Sequence, residues 1–142
     1  MSIQTATAGL PSRLSTGSAG LVLAARVLLS VLFVVSGFGK LTTIGDTAGF
    51  FGGLGLPAPT ALAILVGLLE LGGGVALIVG FKTRIIAAVM ALFTLAATAV
   101  AHLHFGDPMQ MLMLQKNLGI TGGFILLAVV GAGPLSLDGT RA

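Results

Sequence analysis

Two charged residues stand inside long apolar stretches of this chain: Arg26 within Gly20–Gly39, and Glu70 within Thr60–Gly80. A charged side chain at the centre of a membrane span costs about 2.5 to 3.5 kcal/mol on insertion scales, so such groups persist when they pair or line a cavity. Counted along a helix, Arg26 lies about 9 Å and Glu70 about 15 Å from the same membrane face, a difference the long Arg side chain can cover. An Arg26–Glu70 ion pair inside the bundle is therefore expected. It would either organise the bundle or hold a proton-active carboxylate whose proton affinity depends on its partner. Snorkelling of Arg26 to the interface is the remaining reading.

A second group gathers at the opposite face. Lys40 closes the first apolar run, His102 and His104 end the third, and Lys116 and Asn117 open the fourth, with Asp107 in the connection between. Cations and imidazoles at one interface make a candidate site for a quinone head group or a small anion. No metal site is expected. His102 and His104 are two apart, which places them on different faces of a helix. Both lie at one end of one span, which disfavours a haem held by His ligands on facing spans. No phosphate loop, nucleophile elbow or zinc spacing occurs.

These groups need scaffolding of a particular kind. Of the 142 residues, 56% are hydrophobic and 8% charged, against about 25% charged in a soluble domain. A soluble fold could not hide this much apolar surface. Four apolar runs, at about 20–39, 60–80, 85–102 and 117–131, each approach the ~20 residues that cross a bilayer. The fold class is therefore an all-α integral membrane protein, a four-transmembrane-helix bundle with short loops. Residues 1–18 read as a mobile cytoplasmic tail, 19–138 as the membrane domain and 139–142 as a short C-terminal tail. Residues 41–59 read as a loop apolar enough to lie on the membrane or fold back into the bundle. Residues 104–115 read as a polar connection.

The net charge is +3, but the cations are scattered and give no nucleic-acid surface. They bear on topology instead. Arg13, Lys82, Arg84 and Arg141 fall on one side, Lys40 and Lys116 on the other, which favours both termini in the cytoplasm. Cysteine is absent, so disulfides and thiolate chemistry are excluded. Trp and Tyr are absent too, so Phe alone must serve at the interfaces. The abundant Gly reads as close helix packing. Glu70-Leu71-Gly72-Gly73-Gly74 with Gly80 echoes Thr121-Gly122-Gly123 with Gly131, either a duplicated hairpin or convergent small-residue packing.

Taken in order, several segments resemble the DoxX family of small bacterial membrane proteins. They are Arg26, Ser36-Gly37-Phe38-Gly39-Lys40-Leu41, Glu70-Leu71-Gly72-Gly73, Gly80-Phe81-Lys82-Thr83-Arg84, His102, Lys116-Asn117 and Gly131-Ala132-Gly133-Pro134-Leu135-Ser136-Leu137-Asp138. The resemblance covers about Leu21 to Asp138. It implies a four-helix membrane bundle in the bacterial inner membrane. The family takes its name from a subunit of a thiosulfate:quinone oxidoreductase, and related groups include assembly factors. The expected function is thus a small or accessory component of a quinone-linked membrane redox complex. The alternative is a non-catalytic scaffold or assembly factor. A transporter reading has only one intramembrane carboxylate to work with. No intrinsic cofactor is expected beyond a bound quinone. The expected partners are lipid and either other subunits of a membrane complex or further copies of this chain.

Overall fold

The computed structural model describes residues 16–140. Five helices follow one another: α1 (Thr16–Thr42), α2 (Ile44–Gly53), α3 (Pro59–Val79), α4 (Thr83–Ala101) and α5 (Pro108–Val130). Helices α1, α3, α4 and α5 are long and apolar enough to cross a membrane. Even the shortest, α4 with 19 residues, reaches about 28 Å. The two ends of the bundle are then distinct. The termini end holds the start of α1, the α3–α4 turn and the end of α5. The α2 end holds α2 and the α4–α5 turn. Most of the expected N-terminal tail, with Arg13, and also Arg141 lie outside the described residues.

Two expected boundaries move. The segment read as a loop at 41–59 contains α2, which packs on α3 and buries Phe51. The fourth span begins at Pro108 rather than near Asn117. Asp107 accounts for the earlier start. Its side chain accepts the Met109 N–H at 2.8 Å, and Pro108 takes the first helical position, where its missing N–H costs nothing. The residues read as a polar connection are thus mostly the first turns of α5.

The helices associate as two tight antiparallel pairs, α1 with α3 and α4 with α5. In the first pair the backbones come very close. A Cβ on Gly37 would lie 2.4 Å from the Leu71 nitrogen, and one on Gly74 3.1 Å from the Ser30 oxygen. Lipid supplies no hydrophobic drive between helices, so such close approach carries the association. The pairs meet through Gly73 against Met90 and Gly123 against Leu29. Gly73 and Gly123, both within the internal echo though not at matching positions of it, each join their own pair to the other.

Burial is inverted relative to a soluble protein. The lipid-facing surface is apolar, with Leu28, Leu92 and Leu126 among the exposed residues. The buried set includes Arg26, Ser30, Glu70, Thr83, Thr94, Thr98 and Thr121. An apolar plug of Phe33, Leu77, Met90, Phe124 and Leu127 fills the contact between the pairs, with the Phe33 and Phe124 rings 5.2 Å apart.

At the termini end the chain beyond α5 folds back and ties the helices together. Arg26, 1% exposed, donates through Nη1 to the Ala132 carbonyl, and through Nη2 to Leu135 at 2.8 Å and Ile78 at 3.1 Å. Ile78 lies in the last turn of α3, whose carbonyls lack partners within the helix and favour a cation. The N–H groups of Leu137 and Asp138 donate to the next two carbonyls, Val79 and Gly80, at 3.0 and 2.9 Å. The Asp138 carboxylate accepts from the Lys82 and Thr83 N–H groups, both at 2.8 Å. It thereby caps α4 from a distance of more than fifty residues in the sequence. Gly80 makes this possible: its φ is +73°, and a Cβ there would fall 2.3 Å from the Ser136 Cβ.

Candidate functional site

Glu70 belongs to a different group from the one its depth suggested. The expected Arg26–Glu70 pair does not form. Lys40 Nζ reaches Glu70 Oε2 at 2.8 Å and donates a second bond to Ser36 Oγ at 2.6 Å. The reason is directional. Side chains on a helix lean toward its N-terminus. In α1 that carries Arg26 toward the termini end. In the antiparallel α3 it carries Glu70 toward the α2 end, so the two diverge. Lys40, in the last turn of α1, leans back into the bundle and meets Glu70. The packing register agrees: Gly37 lies against Glu70 and Leu71, whereas Arg26 lies against Gly80, two to three turns away along α3.

The α4–α5 pair supplies the facing wall. Asn117 Nδ2 donates to Thr98 Oγ1 at 2.9 Å, and Thr98 Oγ1 donates to the Thr94 carbonyl at 2.6 Å. Threonines on α4 can thus sit inside the bundle with their hydroxyls satisfied by the preceding turn. His102 ends α4, its N–H on the Thr98 carbonyl. Its Nδ1 lies 2.6 Å from Gln110 Oε1, in the first turn of α5. Since the amide oxygen only accepts, Nδ1 donates, and in the neutral ring Nε2 is then an acceptor.

Between the two pairs, toward the α2 end, these residues line one cavity of ≈ 470 Å³. Lys40, Glu70, His102, Lys116, Asn117 and Ser36 all contribute. The remaining wall is mostly apolar. Phe50, Phe51, Leu54 and Leu56 come from α2 and the turn after it, and Leu32, Val66, Phe93 and Val100 from the spans. Glu70 is the most secluded of the charged groups, its side chain 7% exposed against 25% for Lys40. Two of the three Lys40 donors are spent on Ser36 and Glu70, which leaves a third.

The structure therefore divides the expected residues. Lys40, His102, Lys116 and Asn117 come together as grouped, although Lys116 is also exposed. His104 stands apart, exposed in the α4–α5 turn and absent from the cavity wall. Glu70 joins the group and Arg26 leaves it. Gln110 and the aromatic wall of α2 were missed. Gln110 could have been found from the Asp107-Pro108 start signal, which places it in a helix beside His102.

Comparison with known proteins fits this arrangement. The DoxX family profile matches residues 21–103, more than half of the chain. The chain is similar to the inner membrane protein YqjF of Escherichia coli K12, with 43% identity over 82% of this chain and 88% of YqjF. It is similar to the inner membrane protein YphA of the same organism, with 32% identity over 83% of this chain and 88% of YphA. Over 51% of its length it is 36% identical to a protein of Bacillus subtilis named "Putative oxidoreductase CatD", covering 52% of that protein. No solved structure matches it significantly. With the bundle, the order of its motifs and these likenesses in agreement, the chain belongs to the DoxX family of membrane proteins.

Proposed function

We propose that the cavity between the helix pairs binds a quinone, and that the protein serves as a small subunit beside a membrane redox partner. The observation that carries this is the character of the cavity. Its walls are apolar, and its deepest polar feature is an ion pair that is already neutral overall. A small anion would have to compete with Glu70 for Lys40. A neutral ring with two carbonyl oxygens has no such conflict. It can accept from the third Lys40 donor, and in its reduced form donate to His102 Nε2. An apolar wall with a few convergent polar groups is the usual make-up of a small-molecule site, and the volume lies in the usual range. A quinone, when bound, would supply two-electron chemistry that no side chain of this Cys-free chain can supply. The protein's own part is to hold the head group, orient it and present hydrogen-bonding groups to its oxygens.

The likeness to CatD supports an oxidoreductase setting. Exposed Gly72, Gly119 and Gly122 have open space where a side chain would stand, which suits docking of a partner's span. With Lys82 and Arg84 at the termini end, the charge bias favours that end in the cytoplasm and the cavity mouth on the opposite face.

The test is purification in native-lipid nanodiscs followed by organic extraction and mass spectrometry. Quinone should co-purify with the wild type at near-stoichiometric level, and Ala97→Trp, which fills the cavity, should lower it at least several-fold. Wild-type protein that carries no more quinone than an unrelated membrane protein would overturn the reading and leave the scaffold role standing.

A further inference from the structure

Glu70 lies near the middle of α3, and its surroundings differ in the two directions along the bundle. Toward the α2 end it opens into the cavity. Toward the termini end the way is blocked, first by the close contact of Gly74 with Ser30 and Val34, then by Phe33, Leu77, Met90, Phe124 and Leu127. Leu77, Met90 and Phe124 are all fully buried. Beyond that plug lie Arg26 with the segment after α5 and a separate cavity among Lys82, Thr83, Arg84, Gly131 and Asp138, whose lining shares no residue with the plug or with the cavity at Glu70.

We propose that the Lys40–Glu70 pair is a protonatable site that exchanges protons with the α2 face of the membrane alone, the cavity acting as a half-channel that ends at Glu70. This goes beyond quinone binding and does not require it. The step is a simple proton transfer. A proton from water in the cavity binds a Glu70 carboxylate oxygen, and an O–H bond forms there as one in the hydronium donor breaks. The carboxylate charge is then gone and the Lys40 ammonium has lost its counter-ion. Lys40 is in the last turn of α1, with a flexible stem that can extend toward the α2 face. Protonation at depth is thus coupled to displacement of a cation toward the mouth.

The other titratable groups around the site are few. His102 faces it from α4 and Lys116 from α5. From α2, Asp46 is exposed and does not line the cavity. His102 and Lys116 are therefore the groups to control for when a change of charge is assigned to Glu70.

The absence of Cys permits a direct test. Ala97→Cys places a thiol on the cavity wall, and Ala91→Cys places one in the plug. Each variant is treated with a membrane-impermeant cationic methanethiosulfonate and, separately, a small neutral one, in right-side-out and inverted vesicles. The thiol at position 97 should react with the cationic reagent from the α2 face only, and that at 91 from neither face. Reaction at 97 from the termini face, from both faces or from neither would overturn the half-channel.

Charge is read from the ratio of cationic to neutral labelling rates at position 97, measured in a His102→Gln background so that the imidazole does not contribute. A loss of the carboxylate charge leaves Lys40 uncompensated and should repel the cationic reagent within the same cavity, lowering the ratio by about threefold or more. The ratio should fall as pH is lowered with Glu70 present and stay low and flat in Glu70→Gln. Glu70→Asp, which keeps a carboxylate, should retain the pH response. A ratio that does not depend on pH in any of the three would sink the protonatable pair, whether or not a quinone is found.

Discussion

The two ends of this bundle solve the problem of buried charge in opposite ways. At the termini end Arg26 is bonded to backbone carbonyls of the α3 end and of the segment after α5. At the α2 end Lys40 is bonded to side chains, Ser36 and Glu70, beside a cavity. Backbone carbonyls cannot titrate or swing away, so the first arrangement is a clasp. A carboxylate can lose its charge and a lysine stem can move, so the second is equipped to respond to a ligand or a proton. Depth in the membrane does not distinguish the two. The identity of the acceptor does.

The largest effect should come from breaking the clasp. Arg26→Leu removes three hydrogen bonds from a charged donor and leaves their acceptors in an apolar setting, a loss of roughly 3 to 5 kcal/mol. Arg26→Lys should rescue little, because one ammonium cannot reproduce the guanidinium fork. Unfolding in mixed micelles by SDS measures both. A midpoint close to wild type for Arg26→Leu would show that the clasp is not structural. Gly80→Ala should follow, at about 2 kcal/mol or more, since it combines a positive φ with a collision against Ser136.

The same assay applied to Glu70→Ala should show a smaller loss, about 1 to 2 kcal/mol. Removing one partner of a buried pair is costly, but Lys40 is a quarter exposed and can relocate its charge toward the α2 face. Glu70→Gln, which still accepts from Lys40, should be closer to neutral. If Glu70→Ala proves as damaging as Arg26→Leu, both ends are clasps and the contrast fails. The smallest effects concern the two histidines. His102→Ala should lower quinone occupancy several-fold. His104→Ala should leave stability within about 0.5 kcal/mol and occupancy unchanged, because the side chain is exposed and outside the cavity. Equal effects of the two on occupancy would place the head group outside the cavity.

Much of this contrast is legible in the residues themselves. Composition and run length establish four spans, because lipid is the only solvent that tolerates such a surface. The grouping of Lys40, His102, Lys116 and Asn117 follows from topology, since consecutive span ends alternate between faces. Glu70 was harder. Counting depth along the helix paired it with Arg26, although the lean of side chains toward each helix N-terminus already pointed the two apart. The start of α5 was equally readable in Asp107-Pro108, a capping residue followed by a proline.

What the chain alone determined, then, is the membrane bundle, its four spans and the ends on which the polar residues at the span termini fall. These depend on hydropathy and on order along the chain. Only the tertiary structure decided which charge meets which, that the segment after α5 returns to hold Arg26 and cap α4, and that α2 walls a cavity. Those outcomes rest on the register of two antiparallel helices and the direction in which their side chains lean. A shift of one turn in that register would move every charged group by about 5 Å and give each a different partner.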